Sequence, residues 1–551
     1  MNGGKLVVEL LKEQGTRCVF GVPGGQTLFV NDALYDSDIE FIQTRHEGGA
    51  ASAADAYGRI TGKPGICLAT TGPGATNLIT GIGGAFRDSS PMIVLLFQNR
   101  AADVGRGDAQ EANHEALFSS ICKEFIPVYN ISKLAWAMRQ AYRVAVTGRP
   151  GPVVVDLYRD VVESQEADYE YIAPEKYCFQ SKCRPLDSEI QKCIDLLKKN
   201  NKIAILSGNG VKYSGAGDVV LEFAKHLDAP IVTTFNGISG VPTTDRNVMG
   251  ARSRHGSQFT RYILEDADLV VVLGSSLTAI STNRWSLGFK KMIQIDIDPQ
   301  NIGKHYPVEC GLVGTIDETL TLINQNLKEN PIKDSARSEW FDQIEEKKKS
   351  WEADVLGKID SDVDATPVSP VAVMNELSKL IREDSVVCVD AGNPGAWSHL
   401  LEIKPGVKYL KPVNFGNMGF AIPAGIAGKA AYPEKEVISI LGDGSLGMTL
   451  AELETAARQN KRQMIIVLND SAYGNIKQEE EFKFGDRYIG VDFTESDYVK
   501  VAEGLGCRSY KVTKASQLAG IFKDFREAGT DEPFVIDLSL NGNISVWPEA
   551  F

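Results

Sequence analysis

Long apolar segments are missing from this chain of 551 residues. It has no run of about 18 apolar residues, the length that a membrane-spanning helix needs. The first residues also lack a charged segment followed by a long apolar stretch, which a secretion signal would show. We therefore expect no membrane partner and a cytoplasmic location.

Clusters of basic residues are also scarce. The longest is Lys347–Lys349, which directly follows Glu345 and Glu346 and is typical of a solvated helix face. The formal net charge is −14. A protein without a basic stripe has no surface that follows a phosphate backbone, so we expect no nucleic acid partner.

The nine cysteines do not have the spacing of a metal site. Cys178 and Cys183 are the closest pair, and the total is odd. A disulfide framework usually needs an even number of cysteines in a small secreted chain. We expect reduced thiols.

Short apolar runs alternate with amphipathic stretches in three blocks, which is the pattern of βαβ units. A chain of this length exceeds the roughly 250–300 residues that one core supports. The runs are apolar throughout, so their strands are expected to be buried on both faces. The sequence predicts an α/β protein with three doubly wound parallel-sheet domains, at 1–165, 186–330 and 366–551, and an exposed charged helix within 331–362.

Two carboxylates each follow a predicted strand in the third block. Asp443 lies in the segment Gly442–Ser445, and Asp470 ends the next strand. Ligands of doubly wound sheets lie beyond the carboxyl ends of the strands, so both carboxylates are candidates for one cation, most naturally Mg²⁺ beside a diphosphate. A helix predicted from about Leu450 would point its positive end at the phosphates. The alternative is a tight turn without a ligand.

Glu47 is a second candidate, far away in sequence. It ends an apolar segment and precedes a helix of small residues, with the glycine-rich segment Gly72–Asn77 further on. A carboxylate in this place could transfer a proton. It could equally interact only with the dipole of the helix.

These segments together resemble the thiamine diphosphate enzyme superfamily, in its acetolactate synthase-like branch of large catalytic subunits and pyruvate oxidases. The resemblance covers almost the whole chain. It is carried by VFGVPGGQ (19–26), by the segment from RHEGG to GATN (45–77), by GNMGFAIPAG (416–425) and by GDGSLGMTLAELETAARQ (442–459).

The resemblance implies specific roles. Glu47 matches the glutamate that bonds the pyrimidine ring of thiamine diphosphate and drives removal of the thiazolium C2 proton. Asp443, Asp470 and the backbone carbonyl of Ala472 match Mg²⁺ ligands, although the family normally has Asn in place of Asp470. Met418 matches the apolar residue beneath the bent cofactor. Further positions expected at the cofactor are Pro23, Gly25, Gly72, Asn77, Gly392, Asn393, Asn417, Gly442, Gly444, Ser445, Tyr473, Gly474, Asn475 and Ile476.

Four residues match positions on the substrate side of acetolactate synthases. They are Gln110, Lys123, Phe86 and Gly25. Ordinary surface positions would explain Gln110 and Lys123 equally well.

Two positions depart from acetolactate synthases. Ile280 stands where they carry an arginine that binds the carboxylate of the acceptor, and Glu479 replaces a tryptophan of the acceptor pocket. We expect an anionic Glu479 to repel a second 2-oxo acid and to favour an aldehyde, phosphate, water or a thioester.

The expected function is a Mg²⁺- and thiamine diphosphate-dependent carboligase that decarboxylates a 2-oxo acid such as pyruvate and transfers the acyl carbanion to an acceptor. Alternatives are a 2-oxo acid decarboxylase, a pyruvate oxidase, a sulfoacetaldehyde acetyltransferase, a 2-hydroxyacyl-CoA lyase and an inactive cofactor-binding scaffold. The resemblance implies an active site between subunits of a homodimer or homotetramer.

The middle block leaves its own ligand open. Arg254–Gly256 and the segment IDIDP (295–299) resemble the region that holds FAD or ADP in such enzymes. A parallel-sheet domain can also keep such residues only for its fold.

Overall fold

The computed structural model describes residues 1–179, 182–254, 256–332, 334–355, 357 and 361–546. Within these residues the chain forms three six-stranded sheets, and every pairing between their named strands is parallel. Helices cover both sides of the sheets. The predicted fold class is confirmed.

The first sheet has the strand order β2-β1-β3-β4-β6-β5. Its strands are β1 (Cys18–Gly21), β2 (Glu40–Gln43), β3 (Gly65–Ala69), β4 (Met92–Gln98), β5 (Glu124–Val128) and β6 (Pro152–Tyr158). The helices around it are α1 (Gly3–Glu13), α2 (Leu28–Tyr35), α3 (Glu47–Thr61), α4 (Pro73–Asn77), α5 (Ile79–Asp88), α6 (His114–Phe118), α7 (Leu134–Val146) and α8 (Arg159–Glu163).

The second sheet has the order β12-β11-β10-β7-β8-β9. Its strands are β7 (Ile203–Ser207), β8 (Ile231–Thr234), β9 (Val248–Arg252), β10 (Leu269–Leu273), β11 (Met292–Asp296) and β12 (Cys310–Val313). Its helices are α9 (Asp187–Lys199), α10 (Asn209–Ser214), α11 (Gly217–Leu227), α12 (Gln258–Asp266), α13 (Ala279–Thr282) and α14 (Ile316–Glu329). Counted from its first strand, this is the order of dinucleotide-binding sheets.

The third sheet repeats the topology of the first, with the order β14-β13-β15-β16-β18-β17. Its strands are β13 (Val386–Val389), β14 (Lys408–Leu410), β15 (Val437–Gly442), β16 (Met464–Asn469), β17 (Arg508–Val512) and β18 (Phe534–Ser539). After the connecting helix α15 (Ser335–Val355) come α16 (Pro370–Leu380), α17 (Asn393–Trp397), α18 (Ala421–Ala431), α19 (Asp443–Thr449), α20 (Glu452–Arg458), α21 (Gly474–Phe484), α22 (Tyr498–Gly504) and α23 (Leu518–Glu527).

The first and third sheets share one apolar core. It contains residues of α3 and α18, which are rich in alanine and glycine and pack against each other. Small side chains let two helices approach closely, which explains the run of small residues after Glu47. This packing fixes the position of the first domain against the third. We keep the boundaries 1–165, 186–330 and 366–551 as a proposal.

The sequence predicted that the charged helix α15 is exposed, but one of its faces is buried. Trp340, Phe341 and Ile344 are buried on the face that packs against the second domain. The buried Arg337 donates hydrogen bonds to the carbonyls of Leu197 and Asn200, at 2.6 and 2.8 Å. The prediction was wrong because the charges hide an apolar stripe of helical period. Residues 333, 356 and 358–360 of the predicted segment lie outside the described residues.

Candidate active site

Asp443 and Asp470 lie at the carboxyl edge of the third sheet, at the ends of two paired strands. Asp443 is the first residue of α19, directly after β15, and Asp470 directly follows β16. The helix predicted from about Leu450 corresponds to α20, which begins at Glu452, and the additional helix α19 precedes it from Asp443. Gly444, in the first turn of α19, lets the backbone approach its neighbours closely. The predicted convergence of the two carboxylates follows from this geometry.

The surroundings of the two carboxylates suit a cation. Both side-chain oxygens of Asp443 are buried without a hydrogen-bond partner in the described part of the chain. Burial, reinforced by the neighbouring charge of Asp470, raises the pKa of Asp443 to about 7. Burial likewise raises the pKa of Asp470 to about 6. A hard divalent cation would supply both the missing partner and the missing charge, so these residues fit Mg²⁺.

The turn after Asp470 is shaped around its carboxylate. Ser471 has a positive φ of 53°, and Ala472, the predicted carbonyl ligand, forms an isolated bridge with Asp492. A Cβ atom on Gly474 would lie 2.2 Å from a carboxylate oxygen of Asp470. A side chain at that position would push this carboxylate out of its place.

The predicted diphosphate residues form one cluster beside these carboxylates. Gly392 has a positive φ of 81° and leads into α17, whose first residue is Asn393. The amide of Asn475 donates a hydrogen bond of 2.9 Å to the side-chain oxygen of Asn393. Ile476 follows on α21 and is half exposed. The structure therefore brings two distant segments of the sequence together.

Met418 and Tyr473 pack over Gly444. A Cβ atom on Gly444 would lie 2.7 Å from the ring of Tyr473 and 3.5 Å from the terminal methyl of Met418. Ser445 and Asn417 are buried close by in sequence. A side chain at Gly444 would collide with this layer.

Asp390 is a residue of this site that the sequence reasoning missed. It follows β13, and its carboxylate accepts hydrogen bonds of 3.0 Å from the backbone amides of Gly419 and Ala421. Burial raises the pKa of Asp390 to about 6. These bonds hold the loop that carries Met418. The available signal was an aspartate at the carboxyl end of an apolar strand.

Glu47 lies at the carboxyl edge of the first sheet. It is the first residue of α3, which His46 caps by accepting a hydrogen bond from Gly48. Its Oε2 atom accepts a hydrogen bond of 2.9 Å from the side-chain amide of Asn77. A Cβ atom on Gly74 would lie 3.5 Å from its other oxygen. The structure thus unites Glu47 with the glycine-rich segment that the sequence singled out.

Other predicted residues of the first domain lie at the same edge. Pro23 and Gly25 are exposed in the loop after β1. Gly72 leaves no room for a side chain, since a Cβ atom would lie 2.2 Å from the carbonyl oxygen of Gln110. Gln110 is therefore next to the cofactor segment. Phe86 is half-buried on α5.

Lys123 is not at this edge. It precedes β5, at the amino edge of the parallel sheet, and its ammonium donates to the carbonyls of Val144, Thr147 and Arg149 at 2.5 to 2.9 Å. Desolvation lowers the pKa of Lys123 to about 8. Its contacts stabilise the end of α7 and give no support to the substrate-side role that the resemblance implied.

Glu452 links the third domain to the helix that carries Glu47. This buried carboxylate on α20 accepts hydrogen bonds from the backbone amides of Arg45 and His46, at 3.2 and 3.1 Å. Burial raises its pKa. The sequence reasoning missed it, since it reads as one more charge on an amphipathic helix.

Glu479 has cationic partners. Its Oε1 atom lies 3.2 Å from the guanidinium of Arg254 and 2.6 Å from the ammonium of Lys483. The hydrogen bond from Lys483 lowers the pKa of Glu479. The three side chains together carry one positive charge. The expectation that Glu479 repels an anionic substrate is therefore not supported, because its charge is compensated.

A cavity of about 410 Å³ lies at the carboxyl edge of the second sheet. Gly274 and Asp296, which follow or end strands, line it together with Ile280, Arg149 and Lys182. Burial raises the pKa of Asp296. Strand-end glycines, an acid and nearby cations suit a nucleotide. His255, part of the predicted FAD-like region, lies outside the described residues.

Profiles of known domain families match the chain in three places. Residues 1–117 match the N-terminal TPP binding domain of thiamine pyrophosphate enzymes, residues 190–323 their central domain, and residues 390–538 their C-terminal TPP binding domain. The three matches fall on the three sheets. Fold and site thus define a thiamine pyrophosphate-dependent enzyme.

Relatives of known name align with essentially the whole chain. The acetolactate synthase large subunit of Corynebacterium glutamicum is 32% identical, over 100% of this chain and 88% of its own length. The probable acetolactate synthase large subunit of Methanocaldococcus jannaschii is 32% identical (98% and 92%), and the isozyme 2 large subunit of Escherichia coli 30% (100% and 97%). The chain belongs to the acetolactate synthase-like family of thiamine pyrophosphate enzymes. Among its described residues, no helix is long and apolar enough to cross a membrane.

Proposed function

We propose that this chain, with thiamine diphosphate and Mg²⁺, decarboxylates a 2-oxo acid and transfers the remaining acyl unit to an acceptor. Pyruvate is the first candidate for the donor, since the named relatives are acetolactate synthases. The observation that carries the proposal is the buried carboxylate of Asp443, which lacks a partner among the described residues and faces Asp470 beside the cluster of Asn393 and Asn475.

The roles of the residues follow from their positions. When bound, thiamine diphosphate supplies a nucleophilic carbon and an electron sink. Asp443, Asp470 and the carbonyl of Ala472 would hold the Mg²⁺ that neutralises the diphosphate. Glu47, oriented by Asn77, would hold a proton at the pyrimidine ring. Met418, which lies over Gly444, would pack against the cofactor.

We also propose that a second copy of the chain completes the site, in a homodimer or a homotetramer. The side chain of Glu47 bonds to Asn77 of its own domain. Apolar side chains near the cluster remain exposed in the single chain: Phe415 by 46%, Met448 by 54% and Ile476 by 50%. A partner that brings its own Glu47 to this surface would cover them.

The cavity of the second domain favours a second candidate function. The strand order of the second sheet and the lining of the cavity suit FAD or the ADP portion of a coenzyme, as in an oxidase or a CoA-dependent lyase. The visible spectrum of the purified protein tests for flavin, and release of bound nucleotide by denaturation tests for ADP.

The first experiment is to incubate the purified protein with thiamine diphosphate, Mg²⁺ and pyruvate and to follow pyruvate and the products by mass spectrometry. We expect acetolactate, and we expect Asp443→Asn to abolish it. Acetate or acetyl phosphate would instead identify the oxidase reaction. Unchanged pyruvate would refute pyruvate as the donor, and a test series of other 2-oxo acids and acyl-CoA compounds would follow.

A further inference from the structure

An ion pair joins the second and third domains beside the candidate active site. Arg254 lies between β9 and α12 of the second domain, and Glu479 lies on α21 of the third. The guanidinium Nη2 atom is 3.2 Å from the carboxylate of Glu479. Lys483, one turn further along α21, bonds the same oxygen at 2.6 Å. Within the described part of the chain, these three side chains are two cations and one anion.

The helix places this cluster close to the cofactor residues. Asn475, in the first turn of α21, is bonded to Asn393 in the diphosphate cluster. Glu479 comes four residues later, about 6 Å along the helix axis. Ile476, Glu479 and Lys483 are spaced three and four residues apart, so they share one face of α21. The half-exposed Ile476 shows that this face is open next to the site.

Stability does not account for the pair. The side chains of Arg254 and Glu479 are 34% and 21% exposed, and pairs exposed to this degree add little to stability. A guanidinium, however, binds carboxylates through two parallel hydrogen bonds. If an incoming carboxylate takes over Arg254, Lys483 still neutralises Glu479. The exchange would leave no charge without a partner.

We propose that Arg254 binds the carboxylate of an anionic acceptor, and that Glu479 with Lys483 holds the guanidinium in position until the acceptor enters. Arg254 is then a specificity residue that selects a 2-oxo acid over a neutral aldehyde as acceptor. This inference rests on the proposed acyl transfer. It reverses the role first expected for Glu479, which becomes the resting partner of the arginine and not a repelling charge.

The test compares an anionic with a neutral acceptor at one donor. The enzyme is supplied with pyruvate and acetaldehyde together, and the ratio of acetolactate to acetoin is measured. Loss of a hydrogen-bonded charge pair with the acceptor should lower this ratio about tenfold or more in Arg254→Gln. Arg254→Lys should lie between this variant and the wild type. Arg246→Gln, which removes an exposed arginine of the same domain, serves as the matched control and should leave the ratio unchanged.

Glu479→Gln separates the proposal from a purely structural role. It frees Arg254 from its resting partner and should raise the ratio. If Arg254 only held its loop in place, Arg254→Gln would lower the yields of both products equally and lower the unfolding temperature. That result, or an unchanged ratio, would overturn the proposal.

Failure of the proposed function can be told apart from failure of this inference. If the wild type consumes no pyruvate, calorimetric titration with oxalate, in the presence of thiamine diphosphate and Mg²⁺, still reports anion binding. Weaker binding of oxalate by Arg254→Gln than by the wild type would support the anion subsite without the transfer reaction. Equal binding would overturn it.

Discussion

Asp443 places a negative charge in a buried position, so replacing it with Asn should stabilise the cofactor-free protein and destabilise the loaded one. Burial raises its pKa from 3.8 to about 7. At about 1.4 kcal/mol per pH unit, this rise corresponds to at most about 4 kcal/mol above pH ~8. The unpartnered amide of Asn costs about 1–3 kcal/mol in turn. We therefore expect a net gain of about 1–3 kcal/mol in the free energy of unfolding.

The pH dependence of this gain has a definite sign. A carboxyl whose pKa is raised in the folded state favours folding in its protonated form. Its contribution is complete below the unfolded-state pKa of about 4 and is lost as the pH rises through about 7. The advantage of Asp443→Asn over the wild type should thus be largest near pH ~8 and shrink towards pH ~5.

Thermal unfolding of the wild type and of Asp443→Asn, with and without Mg²⁺ and thiamine diphosphate, measures both effects. A ligand at about 1,000 times its Kd stabilises by about 4.1 kcal/mol, and Asp443→Asn should lose most of this because it lacks a metal ligand. The order of the two unfolding temperatures should therefore reverse on loading. Asp342→Asn, an exposed control, should stay within about 0.5 kcal/mol of the wild type. If cofactor-free Asp443→Asn melts at or below the wild type near pH ~8, the electrostatic reasoning is refuted.

Three further changes test the other parts of the site. Inactive Glu47→Gln and Asp443→Asn chains are unfolded and refolded together in equal amounts. If each site uses both subunits, the mixture should regain about a quarter of wild-type activity, because half of the dimers are mixed and one of their two sites is intact. No recovery would place the site within one chain. Gly474→Ala should abolish Mg²⁺-dependent stabilisation, because its methyl group would lie 2.2 Å from a carboxylate oxygen of Asp470, a ligand of the proposed metal site. Gly447→Ala, which has no neighbouring atom within 4 Å, should retain it. Lys123→Met should lower the free energy of unfolding by about 1 kcal/mol and leave the KM for pyruvate unchanged, since the hydrogen bonds of the ammonium in the described chain go to backbone carbonyls at and just after the end of α7. A raised KM would restore its predicted role.

The sheets could be predicted because their strands are apolar on both faces. Runs such as 269–273 and 464–469 are buried throughout, as expected of parallel strands that are covered by helices on both faces. The connecting helix α15 could be predicted as a helix. Its burial could not, because Trp340, Phe341 and Ile344 occupy a narrow stripe among many charges, and what covers that stripe is decided by the second domain.

The candidate site could be predicted where chemistry and strand ends coincide. Asp443 and Asp470 follow two strands, and the sheet itself brings them together. Asp390 and Glu452 escaped notice because their hydrogen bonds to distant segments come from backbone amides. Every residue carries such amides, so the sequence holds no mark of which ones a carboxylate will reach.

Glu479 shows how a contact between domains can reverse an inference from one position. From the sequence, a carboxylate in place of an aromatic residue changes the local charge by one unit, and repulsion of an anionic substrate follows. Arg254 lies 225 positions earlier in the chain, in another domain, and Lys483 lies one turn along the same helix. With both in contact, the negative charge of Glu479 is compensated. The charge at a binding site belongs to the set of side chains that the fold assembles, so a substitution there can be interpreted only together with its partners.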